Sequence, residues 1–185
     1  MLCEQCRPGL HETLTPITRG DLHGFCLIEY EDLGKQLLHA FKQGGMFALA
    51  QALAARLAAE QPRPEVDLLV AAPSSAAATK ARGFVPAAVI ARALGRAWGL
   101  PAIETRLARE VSDQAGLTAD KRRQNLSGAF AVGRSLAGKR VWLVDDIATT
   151  GSTLAELEAA CRAVGAQVLG FSTLAQSSLK RATQN

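Results

Sequence analysis

The stretch Val141 to Thr153, VWLVDDIATTGST, decides how this chain is read. Its apolar opening predicts a buried strand over 141–145. Two adjacent carboxylates stand at the strand's carboxyl end, and five small residues, Thr-Thr-Gly-Ser-Thr, then open a helix expected over 152–164. In an open α/β sheet, ligands sit beyond the carboxyl ends of the strands. A helix N-terminus there offers unpaired N–H groups and the positive end of its dipole to a phosphate. Gly151 lets the backbone come close to such a ligand. The hydroxyls of Thr149, Thr150, Ser152 and Thr153 can donate to it, while Asp145 and Asp146 can accept from the two cis hydroxyls of a ribose. Ala148 to Thr153 thus read as a phosphate cradle beside a sugar-binding acidic pair. Helix capping alone accounts for Ser152 and Thr153, but not for five such residues behind two carboxylates.

Outward from this stretch, strands alternate with helices. Asp67 to Ala72 (DLLVAA) reads as a second buried strand, Phe25 to Glu31 and Glu104 to Glu110 as further strands, and Val168 to Leu174 as the last. Helices are expected over 34–41, 46–59 and 85–99, the last closed by Gly99 and Pro101. Pro73 to Gly83 reads as a small-residue loop, and Ser112 to Asn125 as a polar surface excursion or a mobile element. The alternation implies β-α-β units, a doubly wound, mostly parallel sheet with helices on both faces. In such a sheet the Pro73-Ser74-Ser75 turn, with Lys80 and Arg82, supplies cations and donors for a second anionic group of the same ligand.

The 185 residues suit one domain of 25–175, with an appendage of 1–24 and a polar tail of 176–185. Hydrophobic content of 48% with 21% charged residues excludes wholesale disorder and rod-like folds, and 5% aromatics leaves a core of Ala, Leu and Val. The net charge of +4 suits phosphate-bearing ligands without requiring nucleic acid. No apolar run reaches membrane-spanning length and the N-terminus lacks the pattern of a signal peptide, so a cytoplasmic protein with no membrane contact is expected.

The four cysteines are too few for a disulfide scaffold. Cys3 and Cys6 have the spacing of a zinc knuckle, and His23 and Cys26 offer two more ligands for a tetrahedral zinc site. Cys26 equally reads as a small buried hydrophobe of the strand beginning at Phe25. Cys161 reads as core, and His11 and His39 lack any partner spacing.

The Val141–Thr153 stretch resembles the phosphoribosyl pyrophosphate (PRPP) signature of type I phosphoribosyltransferases. Ala72-Pro73, Arg82-Gly83-Phe84, and Gln114, Gly116, Leu117, Thr118, Arg122, Asn125, Gly128, Ala129 and Phe130 narrow the resemblance to the competence-associated ComF family, over about 25–175. Two departures stand out: Val85-Pro86 replaces the family's Asn-Gln, and one C-x2-C pair stands where two are usual. The resemblance implies a type I phosphoribosyltransferase fold that binds PRPP or a ribose 5-phosphate-type ligand with Mg2+. It implies Asp145, Asp146, Arg82 and Arg122 as catalytic groups, and Lys42 at a position where the family often has Lys followed by Tyr or Phe. It also implies a part in DNA uptake for natural transformation, with single-stranded DNA and a competence helicase as partners. For DNA, Arg7, Arg19, Lys121, Arg122 and Arg123 are the candidate phosphate contacts. A non-catalytic DNA-binding module and a nucleotide sensor are the alternatives.

Overall fold

Two apolar strands anchor the architecture of the computed structural model, which describes residues 14–109, 111 and 119–177. β3 (Leu68–Ala71) is buried at all four positions. β7 (Arg140–Ala148) is buried from Val141 through Asp145, the continuous apolar pattern of a strand covered on both sides. The sheet order is β1 (Thr15–Arg19), β2 (Leu22–Glu29), β8 (Gln167–Gln176), β7, β3, β4 (Ala102–Glu104). Every neighbouring pair is parallel except the β1–β2 hairpin.

The helices are α1 (Asp32–Gly44), α2 (Phe47–Glu60), α3 (Ala76–Arg82), α4 (Pro86–Trp98), α5 (Ala119–Leu126) and α6 (Ser152–Ala163). α4 carries the chain from β3 outward to β4, whereas α6 carries it from β7 the other way to β8. Right-handed crossovers in opposite directions put those helices on opposite faces. α2 packs on α4, and α5 on α6. The doubly wound, mostly parallel sheet expected from the sequence is what forms. Between β3 and β7 the chain departs to the two sides, and this switch point opens a crevice at the strands' carboxyl ends.

Several boundaries differ from expectation. Thr15 to Gly24 is not an appendage: it forms β1 and the start of β2, with Ile17 and Leu22 in the core. Pro16 hid this strand, yet proline is tolerated at a sheet edge, which is where β1 lies. Gly24 is needed there, because a Cβ would fall 2.3 Å from the Phe171 carbonyl oxygen of β8. The tail begins later than expected too: β8 runs through Gln176, whose Nε2 donates to Glu29 Oε1 at 2.7 Å.

The expected loop over 73–83 contains helix α3. Three alanines of high helix propensity follow Ser75, whose Oγ accepts from Ala78 N at 3.1 Å, and Gly83 closes the helix at φ 78°. The expected strand over 104–110 is broken. β4 ends at Glu104, Thr105 turns inward to donate to the Ala71 carbonyl, and β5 (Arg106–Leu107) pairs instead with β6 (Phe130–Ala131). In the polar stretch 112–125, the part from Ala119 on belongs to α5. Residues 112–118, with Gln114, Gly116, Leu117 and Thr118, lie outside the described residues, as do Cys3, Cys6, Arg7 and His11.

Candidate functional site

The crevice at the switch point holds a cleft of about 250 Å3 lined by Lys42, Pro73, Ser74, Arg82, Asp145, Asp146, Thr149 and Thr153, with Ala72, Pro86, Ala87 and Ile147. One wall is the end of β7 and the turn into α6. Gly151 sits at φ 84° as the residue before the helix, and no side chain caps α6. The N-cap is Gly151, which has no side chain to offer, and Ser152 Oγ lies 2.9 Å from Thr150 Oγ1. The first-turn N–H groups, with the positive end of a 12-residue helix behind them, remain oriented toward the turn.

Asp145 and Asp146 occupy different environments although they are adjacent. Asp145 is buried, and its Oδ1 accepts from the Asp146 N–H at 2.8 Å. Burial first, and the neighbouring Asp146 charge second, push the Asp145 carboxyl up to about 8. Asp146 is half-buried and meets Lys42 of α1, with Nζ 2.8 Å from Oδ2. For Lys42, burial works to lower the ammonium's pKa; the charge and hydrogen bond of Asp146, with lesser help from Asp145 and Tyr30, outweigh it, and the net shift is upward. The pair therefore divides into a charge-compensated carboxylate and one that readily holds a proton.

The opposite wall follows β3. Arg82, at the end of α3, donates Nη2 to Ser74 Oγ at 3.1 Å, while its buried Nε has no hydrogen-bond partner among the described residues. Buried donors are normally satisfied, so this guanidinium is set up for an anion. Val85-Pro86, the departure from the family pattern, supplies the α4 N-terminus: Pro86 lies within its first turn and lines the cleft as apolar surface.

Of the residues singled out from the sequence, Pro73, Ser74, Arg82, Asp145, Asp146, Thr149 and Thr153 come together here. Ser75 caps α3 instead, and Lys80 is exposed on that helix. Ala148 is buried in β7, where its carbonyl accepts from Ser177 N at 3.0 Å. Thr150 and Ser152 bond to each other, and Gly151 shapes the turn. Arg122 lies on α5, and its side chain is outside the described residues.

Arg19 was missed as part of this site. Expected as a DNA contact, it is instead 8% exposed and cannot reach a nucleic acid. Nε donates to the Thr149 carbonyl at 2.8 Å, Nη1 to Thr18 O at 3.0 Å, and Nη2 to Gln176 Oε1 at 3.1 Å, with longer contacts to Ala148 O and Ser177 O at 3.3 Å. It pins the turn between β7 and α6 from 130 residues away in the chain. The one sequence signal available was an arginine alternating with Ile17 on a strand-like run.

The carboxylate oxygens of Asp145 and Asp146 are the donor type a hard divalent cation takes, and one of them is already engaged by Lys42. Two carboxylates without a surrounding cage fit Mg2+ that also takes ligands from substrate phosphates and water. The expected zinc set does not assemble around His23 and Cys26. Three residues apart on β2, they face opposite sides of the strand. His23 is exposed with Nδ1 3.2 Å from Thr18 Oγ1, and Cys26 is buried with Sγ 3.0 Å from Ile28 O. Burial pushes the Cys26 thiol up to about 12, which suits a core residue better than a thiolate ligand. Among the described residues, no cluster of three or more His, Cys, Asp or Glu side chains is placed to hold a metal.

A family model described as a phosphoribosyl transferase domain matches residues 77–184. The chain belongs to this family. It is 36% identical over 101 residues to competence protein F of Haemophilus influenzae, covering 52% of this chain and 44% of that protein. It is 35% identical over 113 residues to the DNA utilization protein YhgH of Salmonella typhi, covering 59% and 48% respectively. The matches thus span about half the length of each relative. Adenine phosphoribosyltransferase of Leishmania donovani shares the fold, with a TM-score of 0.50 at 10% identity over 94% of both chains. Among the described residues no helix is long and apolar enough to cross a membrane.

Proposed function

We propose that this chain binds PRPP, or a closely related 5-phosphorylated ribose, together with Mg2+ in the β3–β7 cleft, and that it serves a protein of DNA uptake or utilization. The observation that carries the reading is the turn at Gly151, which presents the uncapped end of α6 to the same cleft as the Asp145–Asp146 pair and the unsatisfied Arg82 Nε.

In this reading the 5'-phosphate rests on the N–H groups opening α6, with the hydroxyls of Thr149 and Thr153 beside it. Asp145 and Asp146 accept from the ribose 2- and 3-hydroxyls. Ser74 and Arg82 face the pyrophosphate, the leaving group if the phosphoribosyl unit is transferred. Bound Mg2+ would neutralise pyrophosphate charge, with Asp145 and Asp146 as the protein oxygens nearest to it. Transfer would break the bond from C1 to the pyrophosphate oxygen and form one from C1 to an acceptor nitrogen, which loses a proton. The names of the two relatives, with the pI near 9.1, support the DNA side of the proposal.

Isothermal titration with PRPP, with and without Mg2+, tests the site. Saturable Mg2+-dependent binding that Asp146→Asn or Arg82→Gln abolishes is the expected result. PRPP that leaves the protein untouched at millimolar concentration, with Mg2+ present, sinks the reading. A second reading, a DNA-binding module without turnover, is favoured by Val85-Pro86, whose apolar surface replaces the polar pair typical of the family. Pyrophosphate release in the presence of candidate bases separates the two.

A further inference from the structure

A second cleft, of about 380 Å3, opens beside the β4 edge of the sheet, away from the β7–α6 turn. Three arginines from three separate elements line it: Arg92 of α4, Arg106 of β5, and Arg134 in the segment after β6. One carboxylate, Glu104, lines the same cleft, and it is ion-paired with Arg92. The side chains of Arg106 and Arg134 have no hydrogen-bond or ion-pair partner among the described residues. Ala102, Ile103 and the buried Val132 also line the cleft.

Like charges gathered in one concavity repel one another and raise the local concentration of anions. With Arg92 paired to Glu104, the cleft still carries the excess positive charge of Arg106 and Arg134 beside apolar side chains. That combination suits a polyanion with apolar groups. A duplex stacks its bases away from its phosphates, whereas a single strand can turn sugar and base toward the apolar lining while its phosphates meet the arginines.

We infer that the Arg92–Arg106–Arg134 groove is a docking site for the phosphodiester backbone of single-stranded DNA. The assignment rests on the DNA side of the proposed function and moves the contact surface off the Lys121-Arg122-Arg123 cluster. The groove also lies next to the phosphoribosyl cleft. Glu104 is in register with Ala71, the residue before Ala72, which lines that other cleft.

The test uses the full chain and a fluorescein-labelled oligothymidylate, followed by anisotropy across a salt series. The parent should bind with a log–log salt slope of about 0.7 per neutralised phosphate. In the triple variant Arg92→Gln/Arg106→Gln/Arg134→Gln the slope should fall by about 2 and low-salt affinity about tenfold or more. Arg92→Lys/Arg106→Lys/Arg134→Lys, which keeps the charges, should keep the slope, and Glu104→Gln, which removes the groove's one negative charge, should tighten binding. Circular dichroism checks folding, and if the triple variant does not fold, Arg106→Gln/Arg134→Gln replaces it, since neither side chain has a partner to lose.

A triple Gln variant that binds like the parent overturns the groove assignment while leaving the DNA reading standing. So does a Lys121→Ala/Arg123→Ala variant that takes away the slope instead. Duplex that binds as tightly as the single strand through the same arginines overturns the single-strand assignment. A parent that shows no binding at low salt overturns both the groove and the DNA reading, and leaves the PRPP site to its own titration.

Discussion

Asp145 and Asp146 are adjacent in sequence yet face different physics, and pH separates them. The Asp145 carboxyl is pushed up to about 8 by burial and by its neighbour, against an ordinary value of 3.8. Its contribution to folding is fully present below pH 4 and is lost as pH rises toward 8, because the unfolded chain gives up this proton over that range while the folded state keeps it. Asp145→Asn should therefore match the parent's stability near pH 4 and exceed it near pH 8, while PRPP binding disappears. Thermal melts of both proteins across that range check this, at about 2–4 °C per kcal/mol for a chain of this length. Equal melting-temperature differences at both ends would contradict the buried, proton-holding role. Lys42 acts on the other carboxylate: Lys42→Met leaves a half-buried Asp146 uncompensated and should cost about 1–3 kcal/mol in urea unfolding. Adding Asp146→Asn should recover much of that loss, since the cost lies in the orphaned charge.

At the scale of elements, the turn from β7 into α6 is held from outside. A Cβ on Gly151 would sit 2.8 Å from Arg19 Cβ, and the backbone there has φ 84°, which a side chain disfavours. Gly151→Ala should cost about 1–2 kcal/mol from the left-handed backbone alone, with the clash adding to it, and PRPP affinity should fall as the turn shifts. Arg19→Lys keeps the charge but cannot reproduce donation to Thr149, Thr18 and Gln176 at once. Amide exchange at residues 149–152 should then quicken, with β3 protection unchanged. If exchange quickens equally in both places, Arg19 is supporting the whole sheet and not the turn.

For the molecule as a whole, the N-terminal hairpin is part of the catalytic-type domain and not an accessory to it. A chain starting at Phe25, the boundary suggested by the sequence, would lack β1, Arg19 and the start of β2. It would also expose the edge of β2, an invitation to edge-to-edge association. Such a chain should lose its cooperative melt or aggregate. A truncated protein from Phe25 that melts cooperatively and binds PRPP would restore the boundary at residue 24.

Local chemistry made most of the site legible without a structure. An apolar run ending in two carboxylates and followed by Thr-Thr-Gly-Ser-Thr can form little other than a strand, a turn and an open helix start. These steps depend on neighbours in the chain, and Val141 to Thr153 folded as strand, turn and helix, although the strand expected to end at Asp145 runs on through Ala148. The alternation of strands and helices likewise determined the sheet class, because crossover handedness leaves few alternatives. What periodicity could not supply was the pairing of distant segments. Lys42 meets Asp146, Arg19 holds Thr149, and Arg92, Arg106 and Arg134 converge on one groove only because the strands lie in a particular spatial order. The same holds for protonation: tertiary burial, with the charge of Asp146 beside it, pushes the Asp145 carboxyl up, and that burial is not written in the Asp-Asp dipeptide.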